Sequence, residues 1–282
     1  MLSDEGARWS YDGLGGFLRL FGWSTRLLRS PEAYTAVLDD LLVSLDEQGL
    51  QRAEVFLAFG QMHRVGVEPG PIVRRLAERA HERESEGGCS VHFVADATRN
   101  WGVAAAERVL DAALDLRGHR VVGFGMGGEE ASLRAREFRR VYRRAAEHGL
   151  PTSCHAGEGT HPDAVREVVE ELEVRRVGHG IAAVEDPALL RELRDAGITL
   201  EVCPTSNECT GAWNPKSGDH PVLRLVEHGV DVVIGSDDPA FFGTTVTQEF
   251  ARLSEWGLSD EQLRDIDAHA RRVAWASGQG TR

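Results

Sequence analysis

The 282-residue chain has little cysteine, no long apolar run and no surplus of positive charge. Its four cysteines, Cys89, Cys154, Cys203 and Cys209, are scattered, and no two form a C-x-x-C pair. That excludes a disulfide framework and a structural zinc knot. Reduced thiols in a cytoplasmic protein are the expectation. No apolar stretch approaches the roughly 20 residues of a membrane span. Residues 1–9 lack the basic and then apolar regions of a signal peptide. With 32 basic against 45 acidic residues the net charge is −13, which argues against a nucleic acid or an anionic membrane as partner. A small neutral or cationic molecule remains compatible with it.

What is present is an ordinary globular composition, 41% hydrophobic and 27% charged, which excludes disorder and collagen-like structure. A chain of this size buries roughly three-quarters of its unfolded surface without staples. Short apolar runs at 53–59, 90–95, 120–124, 152–156, 175–178, 198–203 and 231–235 are rich in Val, Ile, Phe or Leu and bounded by Gly, Asn, Asp or Pro. These are the marks of strands buried on both faces of a parallel sheet. Between them the period changes to 3.6. Ile72, Val73, Leu76 and Ala80 share one face of a helix over 71–84, and Leu133, Phe138, Val141 and Ala145 one over 132–148. Pro187 and Gly197 bracket a helix over 187–196, and Ser30 and Pro31 start one over 30–48.

Alternating strands and helices build either an open doubly wound sheet or a closed (β/α)8 barrel. No G-x-G-x-x-G follows the first strand and there is no P-loop. The glycines at 123, 125, 127 and 128 follow a strand but have no lysine or acidic partner at fingerprint spacing. With no linker, repeat or low-complexity segment, one domain over 1–282 is the expectation.

Polar residues gather where the strands end. His155, Ala156, Gly157 and Glu158 close the fourth run, and Gly178, His179 and Gly180 the fifth. Pro204, Thr205, Ser206 and Asn207 follow the sixth, and Ser236, Asp237, Asp238 and Pro239 the seventh. Singly, each has a bland explanation: a strand-end histidine is more often a hydrogen-bonded structural residue, and Asp-Asp-Pro more often a turn or helix cap. Four such clusters at the same end of successive strands are better explained by a barrel's catalytic face. The chemistry they suit is metal-assisted hydrolysis. His155 and Asp237 are donors appropriate to Zn²⁺, His179 and Asp238 could orient or deprotonate its water, and Glu158 could serve as a general acid.

In order and spacing, His155-Ala156-Gly157-Glu158, Gly178-His179-Gly180, Cys203-Pro204-Thr205-Ser206-Asn207 and Ser236-Asp237-Asp238-Pro239 resemble the adenosine deaminase family of the amidohydrolase superfamily. The resemblance runs from about residue 11 to the end. It implies a (β/α)8 TIM-type barrel that replaces the 6-amino group of a purine nucleoside with oxygen and releases ammonia. Matched by position, His155 and Asp237 would be zinc ligands and Glu158 the acid that protonates purine N1. His179 would activate the water, Asp238 would contact N7, and the backbone of Gly128 would contact N3. The stretches 125–130 and 241–245 look closer to the bacterial branch that includes aminodeoxyfutalosine deaminases. Cytidine-deaminase-type enzymes are a different zinc class, and their H-x-E and P-C-x-x-C signatures are absent.

One departure is large. The family's first strand ends in His-x-His, two further zinc ligands, and no His-x-His occurs in this sequence. Seven strand candidates rather than eight agree with a barrel lacking its first strand. Its unpaired edges, 53–59 and 231–235, would fray or pair with another molecule, a homo-oligomer among the outcomes. An internal start, divergence into a non-catalytic protein, and a gap filled by another segment or subunit are the competing accounts. His63, expected in a loop, and His92, expected to pack, are the nearest candidate substitutes. Two functions are therefore weighed: a zinc aminohydrolase of an adenine nucleoside, and a homologue that binds a purine or a partner without turnover.

Overall fold

Parallel pairing cannot be made by a tight hairpin, so each strand must be followed by a crossover before the next can join it. A computed structural model describes Trp9 and residues 11–275 of the chain. Its seven strands are β1 (Arg52–Leu57), β2 (Ser90–Thr98), β3 (Val121–Gly127), β4 (Ser153–Ala156), β5 (Arg176–His179), β6 (Thr199–Val202) and β7 (Asp231–Ile234). They form one sheet of order β1-β2-β3 and another of order β4-β5-β6-β7. The described residues divide into two compact units, 21–153 with Trp275, and those up to Leu20 with Cys154–Ala274.

In the first of these units β2 lies between β1 and β3, with Val55 opposite Phe93 and Ala95 opposite Phe124. Every residue of β3 is buried, whereas β1, at the end of its sheet, is half-buried throughout. The Pro31–Glu47 helix starts as its sequence implies: Ser30 Oγ accepts from Ala33 N at 3.3 Å and Pro31 fills the first turn. It packs on the Pro69–Ser85 helix, which buries Ile72, Val73, Leu76 and Ala80. Arg79–Asp39 and Arg83–Asp46 pairs at 2.6 Å tie the two helices at their rims.

Three expectations need correction. The glycine-rich stretch does not follow a strand but forms most of one, because Gly123, Gly125 and Gly127 lie within β3. A Cβ at Gly125 would stand 2.7 Å from the Phe56 ring, and one at Gly123 would stand 2.1 Å from the Trp275 ring. The glycines leave the space that these rings fill. The run 53–59 ends early: Phe59 opens the Phe59–Arg64 helix, burying Phe59 and Met62, and so His63 is helical rather than in a loop. The helix expected from Ser132 becomes a 3-10 turn, Ala135–Phe138, followed by the Arg139–Glu147 helix. Ser132 Oγ donates instead to Glu129 O at 2.6 Å, and Glu137 accepts from Arg134 N at 3.0 Å. These local bonds compete with helix propagation upstream of 135.

Trp275 packs on this sheet, buried with Val94 and Val122 and against Phe56. Its backbone is gripped by β1, where Glu54 accepts from its N–H and Arg52 donates to its carbonyl.

In the other unit, Val177 faces Leu200 and Leu200 faces Val232 across the ladders of β5, β6 and β7. β7 lies at the end of this sheet, and the Asp260–Val273 helix packs along it. The Pro187–Ala196 helix has the expected bounds, with Asp186 accepting from Ala188 N and Gly197 in the left-handed region. Among the described residues no helix is long and apolar enough to cross a membrane.

Each unit holds a histidine neutral. His92, 6% exposed, is pushed down to about 4 by burial and by the Arg52 and Arg120 guanidinium groups. His220, 1% exposed and stacked on Trp256, is pushed down to about 3, mainly by burial. The unfolded chain, with histidine near its ordinary 6.5, binds protons that the folded chain refuses. Stability from these two groups is complete above about pH 6.5 and falls as pH drops from there towards 4 and 3. Chemical-denaturation midpoints between pH 8 and pH 4 should decline accordingly, and His92→Gln should flatten part of the decline. Trp275→Ala should cost about 3–5 kcal/mol by the measure of buried aromatic truncations, read from the same denaturation curves.

Candidate active site

In the four-stranded unit each strand delivers a polar side chain at its carboxyl end. β4 carries His155 and turns at Gly157, where φ is +77° and a Cβ would lie 2.5 Å from Val165. Only glycine suits that turn, and Glu158 follows it. β5 ends on His179 itself, β6 leads into Cys203 and the Pro204–Cys209 helix, and β7 into Asp237. Of the four non-glycine residues with positive φ among the described residues, two are His179 (59°) and Asp237 (55°). Such conformations cost on the order of 1–3 kcal/mol and collect where a side chain must be aimed.

The aim is mutual. His179, 3% exposed, has its Nε2 at 3.6 Å from Glu158 Oε2 and 3.8 Å from Asp237 Oδ2. The His155 ring stands edge-on to the His179 ring, centroids 5.2 Å apart. Gly178 allows this approach, since a Cβ there would lie 2.8 Å from the His155 ring. Thr210 Oγ1 donates to Glu158 Oε1 at 2.9 Å, Ser206 Oγ to Asp237 Oδ2 at 2.6 Å, and the Asn207 amide meets His179 Nδ1 at 3.0 Å.

His179, Cys203 and Asp237 each offer a donor atom within 4.8 Å of the others, the one such set among the described residues. Imidazole, thiol and carboxylate together suit a borderline ion such as Zn²⁺, so the residues present fit a metal by their chemistry. Without one, burial and the Asp237, Glu201, Glu249 and Glu158 carboxylates push the Cys203 thiol well above its ordinary range.

Asp238 is the N-cap residue of the Pro239–Phe242 helix, but its side chain makes no capping bond there. Tyr11 was not singled out by sequence. It packs against Phe17 and Phe242, and burial, Cys209, Asp237 and Asp238 push its phenol up. Its position so far ahead of the motifs gave no local signal. Cys203, Ser206 and Asn207 lay inside a quoted motif without a role, and Thr210 just beyond it.

Gly128 belongs to the three-stranded unit, directly after β3, with φ +93°. A Cβ there would meet Asn100 Oδ1 at 2.8 Å and Thr98 at 2.9 Å, and Asn100 also accepts from Glu129 N at 3.3 Å. The proposed substitute ligands also lie in that unit. His92 is the third residue of β2, beside Arg52, Arg120 and Glu84, where two guanidinium groups oppose a cation. His63 is held below its ordinary range by burial, with Glu68 and Arg108 nearby.

A parallel α/β chain whose acids and histidines collect at the carboxyl ends of successive strands belongs to the class of α/β enzymes with their active site on that face. The particular family follows from comparison. The profile described as adenosine deaminase matches residues 7–282, and the chain belongs to that family. It is 35% identical over 268 residues to the adenine deaminase of Bordetella avium, covering 93% of this chain and 83% of that protein. To the aminodeoxyfutalosine deaminase of Streptomyces coelicolor it is 33% identical over 250 residues, covering 86% of this chain and 64% of that one. The crystal structure of an adenine deaminase from Arthrobacter aurescens superposes with a TM-score of 0.88 at 29% identity, over 95% of this chain and 82% of that one. An amidohydrolase from Burkhoderia ambifaria, solved with bound Zn, shares the fold at a TM-score of 0.81 and 21% identity, over 88% and 69% of the two chains.

The thiols provide a test of this site that needs no substrate. Thiolate is the species that alkylates, Cys203 is held as the thiol, and Cys89 and Cys154 are buried. Iodoacetamide at pH 8 should label exposed Cys209 first and leave the other three protected until the protein is denatured, as read by peptide mass mapping.

Proposed function

We propose that this chain hydrolyses the 6-amino group of an adenine-type substrate, releasing ammonia, with zinc as its metal. The observation that carries the reading is the convergence of the Glu158 and Asp237 carboxylates on His179 Nε2, at 3.6 and 3.8 Å. Two carboxylates beside an imidazole stabilise the imidazolium that forms when it takes a proton. His179 is thus suited to accept a proton from the attacking water. Glu158, its side chain 8% exposed, is suited to give one to ring nitrogen N1. Adding the water oxygen at C6 and expelling the amino group as ammonia then balances the reaction.

His155 and Asp237 are the residues we assign to the metal; Asp237 shares its donor set with Cys203 and His179, and His155 lies outside that set. When bound, zinc lowers the pKa of its water to about 7 and so supplies hydroxide at neutral pH. Asp238 is assigned to purine N7. Adenine, adenosine and aminodeoxyfutalosine are the substrates to compare, since similar proteins carry the names adenine deaminase and aminodeoxyfutalosine deaminase.

A second reading, purine binding without turnover, is favoured by one observation: the metal-donor set among the described residues, His179, Cys203 and Asp237, includes the imidazole that the first reading uses as its base. Catalytic zinc sites usually need three protein ligands and a water.

Ammonia release from the three substrates, with added zinc and with metal content measured in parallel, separates the readings. Turnover that falls on the order of 100- to 10,000-fold in Glu158→Gln with metal retained supports the first. Purine binding with no ammonia from any substrate supports the second. Asp237→Ala should lose metal, and Asp238→Ala should keep metal but lose turnover; equal metal in both would overturn the division between these neighbours.

A further inference from the structure

Three of the side chains assigned to the chemistry take a hydrogen bond from, or make one with, a single short segment. The Pro204–Cys209 helix and its C-terminal residue bring Ser206 to Asp237, Asn207 to His179 and Thr210 to Glu158, at 2.6, 3.0 and 2.9 Å. Residues 206 and 210 are one turn apart and share a face, with 207 adjacent. The segment is itself held. Glu249, fully buried, accepts from Thr205 N at 3.0 Å, and Arg252 donates to Thr205 Oγ1 at 2.8 Å and pairs with Glu208 at 2.5 Å. Trp213 N donates to the Asn207 carbonyl at 2.9 Å.

Asn207 is the informative member, because it is fully buried and its Oδ1 has no hydrogen-bond partner while its Nδ2 faces His179 Nδ1. With the amide turned this way, Nδ1 must accept, and the neutral ring carries its proton on Nε2, the nitrogen facing Glu158 and Asp237. Such a ring has no lone pair there to receive a proton. Once protonated the ring donates from both nitrogens, and the Nδ2 end of an amide cannot accept. A half-turn of the amide removes both conflicts: Nδ1–H donates to Oδ1, Nε2 keeps its lone pair, and the imidazolium formed by proton capture keeps the same bond.

We propose that Asn207 is a positioning residue that accepts a hydrogen bond from His179 Nδ1, fixing the tautomer whose Nε2 is open as a base. This rests on the deaminase reading for its consequence in turnover, but not for the tautomer itself. The test has two arms. Proton–nitrogen correlation NMR of the folded 282-residue chain, with His179 assigned by its loss in His179→Gln, reads which ring nitrogen carries the proton when the ring is neutral. Protonated Nδ1 in the unsubstituted chain, and a shift towards protonated Nε2 in Asn207→Leu, is the expected result. Protonated Nε2 in the unsubstituted chain overturns the proposal whether or not it turns over substrate.

The second arm compares Asn207→Leu and Asn207→Asp in the ammonia assay. Leucine is close in size but cannot accept, so kcat should fall about tenfold or more with KM little changed. Aspartate restores an acceptor and should recover most of that loss, although a buried charge stabilises the fold less than leucine does. A purely structural role predicts the opposite order, and leucine equal to or better than aspartate in kcat overturns the proposal. Absence of turnover in the unsubstituted chain refutes the deaminase reading and leaves the NMR arm to decide this one.

Discussion

A parallel strand covered on both faces has nowhere to place polar chemistry except its ends, and most of this protein's arrangement follows from that constraint. β3 is buried along its whole length and β5 along all four residues. A charged side chain in the middle of either would need its own partner, as Arg176 at the start of β5 has in Glu201 at 2.6 Å. The residues at the strand ends, His155, His179, Cys203 and Asp237, meet one another there, and the segment after β6 supplies partners for His179 and Asp237. Their usefulness comes from stopping together. Two of them sit in left-handed backbone, a strain that the surrounding sheet must hold in place.

The glycines divide into those that turn the chain and those that make room, and the second group ties packing to the site. Gly123 and Gly125 stand where the Trp275 and Phe56 rings enter the face of their sheet. Gly178 does the same for the His155 ring in the other unit. Close packing leaves no slack at such positions, so a methyl group there must displace a ring rather than occupy a void. Core and site thus obey the same steric rule.

Hydrogen bonds then decide direction. The Pro204–Cys209 helix is too short to be stable alone, and Glu249 and Arg252 hold it from a neighbouring helix. It in turn orients an acid, a carboxylate and an imidazole. A buried network of this kind aims its members well only while every donor faces an acceptor, which is why the orientation of one amide, Asn207, has consequences for the imidazole it touches.

Much of this was readable in the order of residues. Short apolar runs and the 3.6-residue period located seven strands and several helices, to the residue for Pro187–Ala196, because local capping by Asp186, Pro187 and Gly197 sets those ends. The clustering of His155, Glu158, His179 and Asp237 could be inferred because parallel strands point the same way. Boundaries that rest on distant partners could not. That glycines 123–127 pair as a strand depends on Phe56 and Trp275, and that Phe59 starts a helix depends on burial of Phe59 and Met62. Tyr11 reaches Asp237 and Asp238 across more than two hundred residues, and nothing local marks it. Sequence by itself determined which residue types stand at each strand end, since burying them elsewhere demands partners of their own. Only tertiary structure decided which of their atoms face one another, because those distances depend on backbone turns and on side chains from elements far away in the chain.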